Sequence, residues 1–238
     1  MGKNSYFQFK QFTIIQKHSA MKVGVDGVLL GAWADVAEAH SILDVGTGTG
    51  LIAIMMAQRS CSEISAVEID KPSADEAAFN VSQSPWKERI KVYHTSFQEF
   101  ATSTSEKFDL IVSNPPFFEN SSRPKNLRRS NARHTDQLSS ENMIRSCLHI
   151  LSPNGKVALI LPSTKAGNFI ETAKTEGFFL NRSLLVRPNP AKPPHRCLLQ
   201  FSTTETIIEV GEFMIEHIIH HDFTEEYITL TKDFYLNM

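Results

Sequence analysis

The sequence predicts an α/β protein with a mostly parallel, twisted sheet, helices on both faces and an antiparallel hairpin at one edge. Three observations carry this. Short apolar runs alternate with helix-like segments from Ser41 to Gly177, and such alternation calls for parallel strands joined by crossover helices. The first of these runs ends in a glycine-rich turn, Gly46 to Gly50. Towards the C-terminus, two strand-like runs follow one another with no helix between them.

Each element has its own reason. Ser41 to Val45 is a short apolar run, and Leu51 to Arg59 after the turn reads as a helix. Ile64 to Glu68 is the next strand. Ser73 to Val81 is Ala-rich and preceded by a proline, as helix starts often are. Ile90 to His94 alternates as a strand, and Phe108 to Ser113 is another. Ser139 to Leu151 opens on a Ser-Ser-Glu capping pattern and is closed by Pro153-Asn154-Gly155. Lys156 to Leu161 reads as a buried strand, and Lys165 to Glu176 as a helix ending at Gly177. Phe178 to Val186 and Arg196 to Ser202 are the two final strands, separated by a Pro-rich loop from Arg187 to Pro194. Residues 1–40 are expected to form an N-terminal extension lying over the ligand end of the sheet, and residues 41–238 the main domain, within one globular unit.

Composition narrows the class. The 238 residues are 41% hydrophobic and 21% charged, as in ordinary soluble domains. A net charge of −2 means that any nucleic-acid site is local. The start carries no signal-like apolar stretch, and no run approaches the ~18 residues of a membrane span. Cys61, Cys147 and Cys197 are widely spaced and read as reduced thiols, which places the chain in the cytoplasm.

Ligands of such sheets bind at the carboxyl ends of the strands. The first motif there is Asp44-Val45-Gly46-Thr47-Gly48-Thr49-Gly50. Its Gly-x-Gly-x-Gly spacing differs from the Gly-x-Gly-x-x-Gly of dinucleotide binding. Gly46, Gly48 and Gly50 let the backbone approach a ligand, and Asp44 suits a ligand ammonium group. Glu68, ending the next strand, suits a ribose diol. An amino-acid end and a ribose without pyrophosphate describe S-adenosylmethionine.

The second motif is Asn114-Pro115-Pro116-Phe117-Phe118, directly after a strand. Asn114 and the Pro115 carbonyl form a fixed pair of acceptors, Pro116 stiffens the corner, and Phe117 supplies a flat apolar face. Together they make a slot for a planar group carrying an NH₂. Phe118 reads as a core anchor.

With these residues in order, the chain resembles the Rossmann-like class I methyltransferases that act on nitrogens conjugated to a planar system. That group includes adenine-N6 methyltransferases and the glutamine-amide methyltransferases of release factors. Two end segments resemble the bacterial tRNA1(Val) adenine-N6 methyltransferases: Phe9 to Gln16 with Ala20 to Trp33, and Tyr227 to Leu236. The resemblance runs from about Tyr6 to Leu236. It implies S-adenosylmethionine as cofactor, tRNA as partner and, as target, the adenine just 3′ of the anticodon. It also implies Phe97 beside the cofactor adenine, with Ser96 where many relatives have an acid, and Lys22 and Asp26 in the segment over the methionine end.

The chemistry follows from the target. The adenine amino lone pair is delocalised, and positive charge grows on that nitrogen during transfer. Asn114 Oδ1 and the Pro115 carbonyl accept the two amino hydrogens and stabilise that charge. Phe117 stacks on a base that has left its own stack. Arg123, Lys125, Arg128, Arg129, Arg133 and His134 follow with no acidic residue among them, and suit phosphate contacts. Lys192, His195 and Arg196 flank the Pro-rich loop, which reads first as a stiff hairpin loop and only second as an extension of this patch. A glutamine-N5 methyltransferase of release factors shares the slot logic, but resembles this chain less. Such enzymes have Tyr where Phe117 stands and a helical N-terminal substrate domain. A non-catalytic RNA-binding module with a cofactor pocket is the third alternative. Trp33 and Trp86 read as core or interface residues. His217 to His221 reads as a packed segment with no metal, and no obligate protein partner is evident.

Overall fold

The computed structural model describes residues 4–115 and 139–238. Its main sheet has eight strands. β3 (Ser41–Val45), β4 (Glu63–Glu68), β5 (Ile90–His94), β6 (Phe108–Ser113) and β7 (Leu151–Pro162) are followed by β8 (Phe179–Arg187), β9 (Arg196–Ser202) and β10 (Glu209–Met214). The order across the sheet is β10-β8-β9-β7-β6-β3-β4-β5. The chain starts in the middle at β3, steps outward to β5, then returns to β6 on the other side of β3. That reversal opens a crevice at the carboxyl ends of β3 and β6, where ligands of open parallel sheets bind.

The helices are α1 (Val25–Trp33), α2 (Leu51–Arg59), α3 (Lys71–Ser82), α4 (Phe97–Ser103), α5 (Ser140–Ile150), α6 (Ser163–Thr175) and α7 (Glu225–Thr231). Strand alternation sends Ile42, Ala66, Leu110 and Ala158 into one apolar cluster with α1 and α2. Leu43, Val67, Ile111 and Leu159 enter a second cluster with α4, α5 and α6. Both faces are covered, so the strands read as continuous apolar runs.

The terminal pair needs correction. β9 inserts between β7 and β8, antiparallel to both, and β10 lies outside β8 and parallel to it. The hairpin is therefore interior, and the edge is a strand that Gly211 and two glutamates had disguised. β7 also starts earlier than expected. Leu151 pairs with Phe108 and Lys156 with Leu110, so residues 152–155 bulge out of the ladder. Gly155 is required there, because a Cβ would stand 2.8 Å from the Phe108 carbonyl oxygen.

Further elements escaped the pattern reading, among them α1, α4, α7 and two N-terminal strands. β1 (Tyr6–Gln8) and β2 (Thr13–Ile15) form a separate antiparallel pair. Phe9, Phe12 and Ile14 nevertheless join the apolar cluster that holds Ile42, together with Tyr227 and Phe234 from the other end of the chain. α1 contains two glycines, poor helix formers. Gly31 faces α2 so closely that a Cβ would meet Met55 Sδ at 2.7 Å. Close helix packing outweighs propensity here. Trp33 is buried in the core, and Trp86 packs edge-on against Phe12.

Candidate active site

Register brings the carboxyl ends of the central strands into one row: Val45 opposite Val67, and Val45 opposite Ser113. Ser113 Oγ donates to the Val45 carbonyl at 2.8 Å, which fastens the end of β6 to the end of β3. Asn114 and Pro115 leave the sheet from that fastened point, half-buried, beside the glycine loop.

The loop is built by its own backbone. Gly46, Gly48 and Gly50 have φ of 71°, 58° and 82°, a region that favours glycine. The N–H groups of Gly46 and Thr47 both donate to the Val67 carbonyl, at 2.9 and 3.0 Å. A Cβ on Gly46 or Gly48 would meet nothing within 4 Å, so both glycines line open space. Gly50 instead backs onto Ala77 of α3.

Two carboxylates hold this loop in shape. Asp44 is 0% exposed. Its Oδ2 accepts from Thr47 Oγ1 at 2.6 Å and from the Ala53 N–H at 3.1 Å, joining the loop to α2. Its Oδ1 is buried with no partner among the described residues. Burial pushes the Asp44 carboxyl up to about 7, against the lowering effect of the Thr47 and Ala53 bonds and with a smaller upward contribution from Glu68. Glu68 is also raised by burial, opposed by its bonds to backbone N–H groups. Its Oε2 accepts from Gly48 N–H and its Oε1 from Asp70 N–H, each at 2.9 Å. A carboxylate offers about four acceptor sites, so Glu68 keeps capacity for a ligand hydroxyl.

The remaining cofactor candidates are placed as follows. Ser96 caps α4 in a reciprocal box with Glu99, so its hydroxyl is already engaged. Phe97 is 5% exposed and packs in the cluster with Val45 and Val67, at the ends of β3 and β4. Lys22 Nζ donates to the Asn4 carbonyl. Asp26 pairs with Arg196 of β9 at 2.7 Å. Phe117, Phe118, Arg123, Lys125, Arg128, Arg129, Arg133 and His134 lie outside the described residues.

Sequence reasoning missed two residues on α3. Asn80 Nδ2 donates to the carbonyls of Ile15 and Thr49, and Asn80 Oδ1 accepts from the Ile15 N–H. One buried side chain thus joins β2 to the glycine loop. Four positions earlier, Glu76 accepts the N–H groups of Lys17, His18 and Ser19. Burial pushes the Glu76 carboxyl upward, but these bonds and the Ser19 hydroxyl outweigh it and hold it low. The available signal was a polar pair at i, i+4 on an otherwise small, apolar helix face.

The reading of His217 to His221 as a packed segment is corrected. Ile218 and Ile219 are 84% and 71% exposed, because the segment is a turn between β10 and α7. Among the described residues no helix is long and apolar enough to cross a membrane.

The family model "Methyltransferase small domain" matches residues 19–175. The chain is 48% identical to the tRNA1(Val) (adenine(37)-N6)-methyltransferase of Trichodesmium erythraeum, covering 99% of each. It is 44% identical to the protein of that name from Parabacteroides distasonis, again over 99% of each. The chain belongs to the tRNA1(Val) (adenine(37)-N6)-methyltransferase family. Among solved structures, a predicted O-methyltransferase of Agrobacterium tumefaciens shares the fold at a TM-score of 0.68 and 19% identity, over 88% of this chain and 96% of that one. The family assignment agrees with the resemblance carried by the glycine loop, the Asn-Pro-Pro-Phe corner and the two end segments.

Proposed function

We propose that the chain transfers a methyl group from S-adenosylmethionine to N6 of the adenine 3′ of the anticodon in tRNA1(Val), in the cytoplasm. The observation that carries this reading is the Ser113 fastening. It fixes the Asn114-Pro115 exit of β6 against the glycine loop at the switch point of the sheet. Near-full-length identity to relatives of that name supports the substrate.

The residues fit the cofactor. Gly46 and Gly48 turn backbone towards open space, Glu68 retains acceptor capacity for a ribose, and Asp44 Oδ1 is an unpaired acceptor beneath the loop. Phe97 flanks the adenine side, the segment with Lys22 and Asp26 covers the methionine end, and the N-terminal extension as a whole covers the cofactor site. When bound, S-adenosylmethionine supplies an electrophilic methyl group.

Asn114 Oδ1 and the Pro115 carbonyl accept the two hydrogens of the adenine amino group. These fixed dipoles favour the transition state, where positive charge has grown on nitrogen, over the neutral amine. Phe117 holds the flipped base by stacking. Arg123, Lys125, Arg128, Arg129 and Arg133 contact phosphates without reading sequence.

Incubation of the chain with S-adenosylmethionine and bulk tRNA, followed by mass spectrometry of the digested nucleosides, tests the reading. N6-methyladenosine is the expected product. Unmodified tRNA with a methylated release-factor glutamine would assign the slot to an amide instead.

A further inference from the structure

Beyond the methyl-transfer site, the turn between β10 and α7 carries a cluster that the proposed function does not use. Glu216 Oε2 lies 3.0 Å from His220 Nδ1, and Glu216 Oε1 accepts the His221 N–H at 3.3 Å. The two imidazoles stack with centroids 3.9 Å apart. One ligand atom from each of Glu216, His220 and His221 can be chosen so that all three lie within 4.8 Å of one another.

The turn's backbone sets this arrangement. Glu216 bridges to Phe223, and Thr224 N–H donates to the Ile215 carbonyl, so the neck is closed. His217 N–H donates to the Asp222 carbonyl within it. His221 has a φ of 68°, the left-handed conformation that a side chain rarely adopts. That conformation turns its ring back onto His220.

We propose that Glu216, His220 and His221 form a binding site for a divalent transition-metal cation, with zinc as its representative. Two imidazoles and one carboxylate are the donor set of zinc centres with three protein ligands and an open fourth position. Calcium and magnesium prefer all-oxygen shells, so the two imidazoles disfavour them. Tetrahedral ligation brings ligand atoms to roughly 3.4 Å, a closure that exposed rings reach by rotation about χ1 and χ2. The N–H of His221 on the second Glu216 oxygen orients the carboxylate for this role.

The site is separate from the methyl-transfer crevice. β10 runs parallel to β8, and β8 runs in the direction of β7 and β6, so the turn and Asn114 share one end of the sheet. Four strand spacings, about 19 Å, separate them.

Calorimetric titration of the chelator-treated full chain with zinc chloride tests the proposal. One equivalent should bind, and His220→Ala, His221→Ala and Glu216→Gln should each weaken binding by at least about tenfold. His217→Ala and Cys61→Ser should leave it unchanged. Cobalt(II) in place of zinc should give visible absorption that the same three variants remove. Absence of binding in the wild type would overturn the site. So would undiminished binding by the His220→Ala/His221→Ala double variant, or loss confined to Cys61→Ser. None of these readouts depends on methyl transfer.

Discussion

The crevice at β3, β4 and β6 and the outer edge at β10 belong to one sheet, yet they are held by opposite means. At the crevice, buried carboxylates organise backbone. Asp44 ties the glycine loop to α2, Glu68 receives Gly48, and Glu76 receives three successive N–H groups of the N-terminal strap. At the edge, Arg182 and Glu209 stand 3.6 Å apart in a solvent-exposed pair, and Val210 is 74% exposed. Burying a carboxylate costs free energy that only its hydrogen bonds offset. That cost is incurred where a loop must be preorganised for a ligand, and it is absent where the strand only closes the sheet.

The largest effect should come from filling the cradle. Gly48→Val places a β-branched side chain at a φ of 58° and projects it into open space over the loop. Affinity for S-adenosylmethionine should fall at least ~100-fold by calorimetry, about 2.8 kcal/mol. Unchanged affinity would move the cofactor away from this loop.

Asn80→Ala sharpens the comparison next, by cutting the link between β2 and Thr49. It strands two carbonyls and one N–H, and buried groups of this kind cost about 1–3 kcal/mol each when left unpaired. Denaturant unfolding should show a loss of roughly 2–4 kcal/mol after partial relaxation. Asn80→Asp, which keeps the acceptor but not the donors, should recover only part.

The third test is the pH response of Asp44. Its carboxyl is raised in the folded state to about 7, so the folded chain binds its proton more tightly than the unfolded chain does. The Asp44 contribution is therefore complete below the ordinary carboxylate value near ~4, and stability falls as pH rises from there through about 7. The full span corresponds to roughly 4 kcal/mol as an upper bound. Glu68 acts in the same direction and Glu76 in the opposite one. Asp44→Asn should flatten most of the fall in Tm between pH 5 and 7. An unchanged slope would show that Asp44 is ionised in the fold.

The smallest effect belongs to the edge. Val210→Ser should change stability by no more than about 0.5 kcal/mol, as surface substitutions do. A larger loss would mean that the edge is packed against something.

The same contrast explains what the sequence revealed. Strands of the parallel half were legible for two reasons: Phe108 to Ser113 is a nearly continuous apolar run and Ile90 to His94 alternates at the sheet edge, and both were placed at their observed bounds. The glycine loop was legible because positive φ at Gly46, Gly48 and Gly50 leaves a compositional mark. Asn80 and Glu76 were hidden because their partners are backbone groups some sixty residues away in the chain. α1 was hidden because Gly27 and Gly31, needed for contact with α2, lower its apparent helicity. β10 was hidden because Glu209 and Glu212 fall on opposite faces and Gly211 stands between them, so no apolar alternation marks the strand, although such charges guard an open edge.

Asn114→Ala most directly tests whether the end of β6 performs the chemistry while β3 and β4 hold the cofactor. Methyl transfer to tRNA and calorimetric binding of S-adenosylmethionine should be measured on the same preparation. Transfer is expected to fall by about 10²–10³-fold, as when one preorganised dipole is removed, with cofactor affinity near that of the wild type. Retained turnover, or loss of cofactor binding in proportion to loss of transfer, would contradict the division of roles.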